Sequence, residues 1–139
     1  MSAGFTITEH TADVGVHAWG ETEAAVFEQA ARGMFSLICD PGTIGREETL
    51  TVVVEAPERE LLLVAWLNEL LFLFESRRVL FADFEVLGMG ETTVRARVTG
   101  EVLDPRRHAV CGGVKAATYH QLRLEQTAGG WEAQVILDV

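Results

Sequence analysis

The longest apolar run in the sequence, Leu61 to Phe74, constrains the fold more than any other feature. Pro57 can open a helix over this run, with acidic residues in the first turn and Arg77-Arg78 near the end, the charge order that the helix dipole favours. A helix that is apolar on every side has to be buried, either at the centre of a domain or in a homo-oligomer. Only Asn68 and Glu69 interrupt the run, and we expect them to mark its one solvent-facing side.

The length and composition predict one domain with its own core, spanning residues 1–139, because the chain has 139 residues and is 48% hydrophobic. Cys39 and Cys111 lie far apart and outside any C-x-x-C spacing, so we expect free thiols in a reducing compartment rather than a zinc site or a disulfide. The N-terminus lacks the basic and apolar regions of a signal peptide, and the run Leu61–Phe74 is too short to span a bilayer. These features predict a soluble cytoplasmic protein without a membrane partner.

The charge is unevenly distributed along the chain, which has a formal net charge of −10. Residues 1–69 hold 3 Arg against 12 acidic groups, whereas residues 70–139 hold 8 Lys and Arg against 9 acidic groups. An acidic surface repels phosphate backbones, so tight direct binding to nucleic acid is not expected. Such a surface suits a basic protein partner instead.

Hydrophobic periodicity predicts a second helix and several strands. Apolar residues recur at three- and four-residue spacing from Thr22, a candidate N-cap, to Ile38. The predicted strands are Phe5–Thr8, Val14–Trp19, Thr49–Glu55, Thr92–Val102, Val114–Gln126 and Trp131–Asp138. Alternation in the fourth of these places Val94, Ala96, Val98 and Val102 inward and Thr93, Arg95, Arg97 and Glu101 outward. The expected fold is α+β, a single-domain sandwich of mixed or antiparallel β-sheet with two main helices.

The segment 127–130 predicts a hairpin turn that places Gln126 opposite Trp131. If both strands continue without a break, Tyr119 falls opposite Asp138. Lys115 then projects from the same face of the sheet about 13 Å farther along the strand. This register places an amine, a phenol and a carboxylate on one surface, and a slip of one residue would reverse the outcome.

The last strand brings Asp138 next to the carboxylate of Val139, whereas most domains finish in a few disordered residues. We therefore expect the terminus to belong to a site, together with the polar segment His10–Asp13 and Lys115, the only lysine in the sequence. Asp13, Asp138 and the Val139 carboxylate could provide three hard oxygen donors, which suit Ca²⁺, Mg²⁺ or Mn²⁺. The alternative is that these groups are ordinary solvated strand ends.

No single-segment motif decides between these interpretations. The sequence has no EF-hand loop, no H-E-x-x-H, no glycine-rich phosphate loop and no G-x-S-x-G elbow. His10, His17, His108 and His120 share no metal-ligand spacing, and each is more typical of a structural or surface histidine. Spacing alone therefore predicts a soluble α+β domain with a candidate acidic metal site.

Several blocks of the sequence together closely resemble the archease family. They are His10–Gly15, Phe27–Ala31 continuing to Met34-Phe35, Leu67–Phe72, Gly113–His120 and the terminal Ile136–Val139. The blocks follow the family order over essentially the whole chain, and in combination they are far more specific than any one of them.

The resemblance implies a cofactor protein of the RtcB-type tRNA-splicing RNA ligase, not itself an enzyme, which assists guanylylation of the ligase by GTP and allows multiple turnover. Carried over by residue, Asp13, Asp138 and Val139 match ligands of a divalent metal, with Ca²⁺ expected first and Mg²⁺ or Mn²⁺ as alternatives. Lys115 matches the functional lysine of the family. Asp40 matches an acidic position, although an aspartate that stops a helix would explain it equally well.

His10 and Tyr119 are further candidate site residues, and two other function classes stay open. A general chaperone or protein-interaction module would use the exposed part of the apolar helix. A free-standing metal-dependent hydrolase would use the acidic cluster, with His10 or His120 as its general base.

Overall fold

A computed structural model describes residues 2–9, 13–110 and 112–139. The strands are β1 (Gly4–Glu9), β2 (Asp13–Gly20), β3 (Glu48–Glu55), β4 (Val79–Met89), β5 (Thr93–Val102), β6 (Ala116–Ala117), β7 (Arg123–Thr127) and β8 (Gly130–Asp138). The helices are α1 (Glu23–Ile38) and α2 (Arg59–Arg77), with a short 3₁₀ helix at Pro41–Thr43. Among these residues, no helix is long and apolar enough to cross a membrane.

The strands form two separate sheets. One has the order β1-β2-β8-β6, with β7 also pairing with β8, and the other has the order β3-β5-β4. Every strand pair in the described part of the chain is antiparallel. Both helices contact strands of both sheets, so they form a layer between them. The predicted α+β single-domain sandwich with two main helices is therefore confirmed.

Helix α1 begins as its sequence predicts. The Oγ1 atom of Thr22 accepts a hydrogen bond from the Ala25 N–H at 3.1 Å and thereby satisfies one of the free donors at the helix start. The face that carries Val26, Phe27 and Met34 is buried. The helix ends where Cys39 takes an extended conformation ahead of Pro41.

Helix α2 is buried within a single chain. It begins at Arg59, two residues after Pro57, and its Trp66 side chain donates a hydrogen bond from Nε1 to the Phe27 carbonyl at 3.0 Å. The buried side chains of α2 lie in the same core cluster as those of α1 and both sheets. The apolar run therefore needs no second copy to cover it, and the homo-oligomer stays a prediction. Phe72, 60% exposed, is the exception.

The inward and outward pattern of β5 is confirmed for its first six residues and wrong at its end. Glu101 was expected outward in solvent but is only 2% exposed, while Val102 was expected inward and is 49% exposed. Glu101 is covered because the Gly45 N–H, the Arg107 guanidinium and His108 all hydrogen-bond to its carboxylate. These hydrogen bonds lower the pKa of Glu101 to about 2. The alternation of apolar and polar residues along a strand carries no information about loops that cover the outer face of that strand.

Candidate functional site

The two aspartates of the predicted site lie directly opposite each other. Asp13 begins β2 and Asp138 ends β8, and the two residues are cross-strand partners in the antiparallel ladder. Directly opposed residues place their Cβ atoms about 4.5–5.5 Å apart on one face of the sheet, where two like charges repel each other. The ladder is fixed by its buried neighbours, such as Val16 opposite Val135. The pair therefore favours a cation between or beside the carboxylates.

Lys115 lies beside this pair through its main chain. Its N–H donates to the carbonyl of Asp138 at 2.8 Å, and the next residue, Ala116, is the cross-strand partner of Asp138. The side chain of Lys115 is exposed. Lys115, the only lysine of the sequence, is therefore adjacent to Asp138. The predicted register had placed it about 13 Å farther along the strand from the position opposite Asp138.

Helix α2 holds the short strand β6 in this position. The Asn68 side chain accepts a hydrogen bond from the Ala117 N–H at 2.8 Å and donates one to the Ala117 carbonyl at 3.1 Å. Asn68 is thus half-buried and paired with a strand, so its predicted position on a solvent-facing side of α2 is wrong. An amide side chain can satisfy both main-chain groups of one residue, which explains an asparagine in an apolar helix.

The predicted hairpin register is confirmed near the turn and wrong farther along. Gln126 is opposite Trp131, as expected, but Tyr119 is not opposite Asp138. The chain leaves the ladder between β6 and β7, where Gln121 takes the left-handed conformation with φ of 51°. This break shifts the register by the time the chain reaches Ala116. Tyr119, 62% exposed, therefore does not share the cross-strand position with Asp138.

A shallow, open depression of about 300 Å³ adjoins the aspartate pair. Its lining includes Asp13, Asp138, Thr118 and His120. Thr118 binds the Ile136 carbonyl through Oγ1 at 2.8 Å, and its Oγ1 lies 3.3 Å from the His120 N–H, so it positions His120 at the rim. Thr118 was absent from the predicted site residues, and His120 was named only as a candidate general base of the hydrolase alternative. The signal that could have included them is their membership of the block Gly113–His120.

The donor chemistry fits a hard divalent cation, but the aspartates alone do not complete a ligand set. Within residues 2–9, 13–110 and 112–139, no group of three or more His, Cys, Asp or Glu side chains is placed to hold a metal ion. Two carboxylates supply hard oxygen donors. Further ligands would have to come from the Val139 carboxylate next to Asp138, from water or from another protein.

The remaining predicted site residues do not extend this arrangement. Asp40 caps the 3₁₀ helix, since its Oδ1 accepts a hydrogen bond from the Gly42 N–H at 3.0 Å, and it is not part of the lining of the depression. Asp40 therefore has a local structural role at the start of the turn that follows α1. His10 lies outside the described residues.

Comparison with known proteins gives matches over nearly the whole chain. The model of the Archease protein family (MTH1598/TM1083) matches residues 5–139. The protein archease of Methanosarcina mazei is 45% identical over 135 residues, which cover 94% of this chain and 92% of the relative. The protein archease of Pyrococcus furiosus is 35% identical over 135 residues, which cover 94% of this chain and 95% of the relative.

A solved structure has the same fold. The solution structure of Methanobacterium thermoautotrophicum protein 1598 superposes with a TM-score of 0.85 at 32% sequence identity, and the match covers 98% of this chain and 99% of that one. The family model, the relatives and the fold agree with the blocks read from the sequence, so the chain belongs to the archease family.

Proposed function

We propose that this protein is a cytoplasmic accessory protein of an RtcB-type tRNA-splicing RNA ligase, promoting guanylylation of the ligase by GTP and its multiple turnover. The observation that carries the proposal is the placement of Asp13, Asp138 and Lys115 at one end of the β2–β8 ladder in a chain of the archease family. Two opposed carboxylates and one amine suit contact with a metal ion and a phosphate group better than they suit a structural role.

Each residue of the proposed site has a distinct part. Asp13, Asp138 and the Val139 carboxylate would hold a divalent metal ion, Ca²⁺ first and Mg²⁺ or Mn²⁺ as alternatives. Such an ion would supply positive charge for phosphate oxygens. Lys115, exposed beside the pair, would donate hydrogen bonds to a triphosphate or to a carboxylate of the ligase.

The charge distribution supports docking on a protein rather than on RNA. The acidic excess lies in residues 1–69, which hold 12 acidic groups against 3 arginines. Such a surface would approach a ligase whose active site binds phosphates and is therefore basic. The ligase then makes the RNA contacts.

The test is RNA ligation by substoichiometric cognate ligase, with GTP, in the presence and absence of this protein. We expect the ligase to move from about one turnover to many when the protein is added. Asp138→Asn should abolish the gain. Glu47→Gln, an equal change of charge at an exposed position away from the ladder, should retain it. No gain in turnover with the wild-type protein would refute the proposed function.

Calorimetric titration with Ca²⁺ and Mn²⁺ tests the metal site separately. Untagged wild-type protein should bind, whereas Asp13→Ala should lose binding without unfolding. A C-terminal tag, which turns the Val139 carboxylate into an amide, should also impair binding. Equal affinity in all three proteins would mean that the carboxylates are ordinary solvated strand ends.

One observation favours the hydrolase as a second candidate function. His120 lines the same depression as Asp13 and Asp138, where it could serve as a general base. The purified protein with Mn²⁺ should then hydrolyse bis(p-nitrophenyl) phosphate, and His120→Gln should abolish that activity. Absence of turnover by the wild-type protein would eliminate this candidate.

A further inference from the structure

A second cavity, of about 110 Å³, lies where β1, α1 and β4 meet. Its wall is mainly apolar and includes four phenylalanines, and Arg32 and Ser36 are among its few polar residues. The aromatic lining consists of Phe5, Phe35, Phe81 and Phe84. None of the residues lining this cavity lines the Asp13–Asp138 depression. The cavity is therefore a separate feature, and the proposed ligase activation does not use it.

The volume of the cavity limits what can enter it. A dry cavity of about 150 Å³ lined by aliphatic and aromatic side chains accepts a benzene molecule, whereas pockets for whole metabolites run to about 300–1,000 Å³. The cavity here is thus sized for one ring or one branched aliphatic group. A single anchoring side chain of a larger partner fits this size better than a complete small molecule does.

Arg32 gives the cavity a charge preference. Of the three arginines in residues 1–69, Arg46 is paired with Asp83 and Arg59 with Glu23. Arg32 is exposed, and no ion pair joins it to an acidic side chain in the part of the chain that the structure describes. An exposed cation next to an apolar cavity favours an occupant that carries a negative charge close to its apolar group.

The cavity also adjoins two sheet edges. Phe5 belongs to β1, the outer strand of one sheet, and Phe81 and Phe84 belong to β4, an outer strand of the other. In the described residues no further strand pairs with the outer side of β1 or of β4. Outer strands present main-chain groups to which an extended polypeptide can add, with its alternate side chains directed into adjacent pockets.

We propose that this cavity is a docking site for an extended segment of a partner protein that presents one aromatic or branched aliphatic side chain next to an aspartate or glutamate. The apolar side chain of this segment fills the cavity, and its acidic side chain pairs with Arg32. The main chain of the segment lies along one of the outer strands β1 and β4. A buried aromatic anchor with a neighbouring charge is a typical energetic centre of a protein interface.

The probe is acetyl-Thr-Phe-Asp-Thr-amide, with a Phe-to-Ala and an Asp-to-Asn version as matched controls. Binding to the full chain is followed by ¹H–¹⁵N chemical shifts of Ser36 and Ala82. We expect the Phe-to-Ala version to bind about tenfold more weakly, because it loses the ring. The Asp-to-Asn version should bind about fivefold more weakly.

Two protein variants assign these differences to the cavity. Arg32→Gln should abolish the preference for Asp over Asn and keep the preference for Phe over Ala. Ala82→Leu, which fills the cavity, should abolish the preference for Phe over Ala. If Ala82→Leu does not fold, Ser36→Leu fills the cavity from the helix side instead.

Several outcomes would overturn the proposal. The proposal is wrong if the Phe-Asp peptide does not change the ¹H–¹⁵N chemical shifts of Ser36 or Ala82. It is also wrong if the Asp and Asn versions of the peptide bind with equal affinity. If 3-phenylpropionate, which lacks a peptide main chain, binds as tightly as the peptide, the occupant is a free amphipathic carboxylate. Self-association of the wild-type protein in sedimentation, lost in Arg32→Gln, would make a second copy of the chain the occupant.

Discussion

Replacement of Asn68 by alanine should destabilise the protein and loosen the strand next to Lys115. The side chain makes two hydrogen bonds to the main chain of Ala117, which is 4% exposed. A net hydrogen bond contributes about 0.5–1.5 kcal/mol, and a buried group left without a partner costs about 1–3 kcal/mol. Because water reaches Ala117 poorly, we expect Asn68→Ala to lower the free energy of unfolding by about 2–4 kcal/mol.

Urea denaturation measures this loss, and amide hydrogen exchange locates it. The urea concentration at the midpoint of unfolding should fall without a change in the m-value. The amide of Ala117 should lose its protection against hydrogen exchange before other amides do. Asn68→Leu, which keeps the branched shape of the side chain but not the hydrogen bonds, should lose a similar amount. Glu69→Ala, one residue farther along the same helix, should change stability by less than about 0.5 kcal/mol. A loss below about 1 kcal/mol in Asn68→Ala, or equal losses at Asn68 and Glu69, would refute the reasoning.

Three further predictions concern charge. The lowered pKa of Glu101, about 2 in the folded protein, means that its ionised form stabilises the fold at neutral pH. Wild-type protein should thus exceed Glu101→Gln in Tm at pH 7, and the difference should shrink as the pH falls from about 4.5 towards 2; a constant difference would contradict this. Lys115→Arg keeps the charge but changes its shape, so it should fold and stimulate ligation far less than wild type, and undiminished stimulation would show that the amine is not special. Bare tRNA should bind weakly in filter binding, and tight, salt-resistant binding at physiological ionic strength would contradict the effect of the −10 charge.

Local patterns in the sequence predicted most of the fold, whereas long-range contacts decided the details of the site. Local patterns identified both helices. Burial of one face gives apolar residues at three- and four-residue spacing, and burial on all sides gives a continuous apolar run. Turn chemistry gave the pairing of Gln126 with Trp131. The continuation of that strand was wrong because the chain leaves the ladder at the left-handed Gln121, and β6 and β7 pair with β8 in different registers.

The same limit applies to the residues around Lys115. The opposition of Asp13 and Asp138 required the register of two strands from opposite ends of the chain, and the sequence gives no direct measure of that register. The role of Asn68 was also inaccessible, since a polar residue in an apolar helix is equally consistent with a wet surface and with a bonded interior position. The end of the last strand, the lone lysine and the family resemblance indicated the residues of the site, and the structure gave their cross-strand arrangement.

The pairing of β2 with β8 makes the candidate site depend on a contact between segments that lie far apart in the chain. Residues 13–20 pair with residues 131–138, so all residues from 13 to 138 must be synthesised before these two strands can pair completely. Contacts between distant segments form slowly, because the chain must first lose the entropy of the long intervening loop. A chain that still lacks residues 131–138 therefore holds the residues of both helices but cannot place Asp13 opposite Asp138. A measurement that depends on the opposed aspartates would then report this long-range pairing, whereas helix content measured by circular dichroism would not.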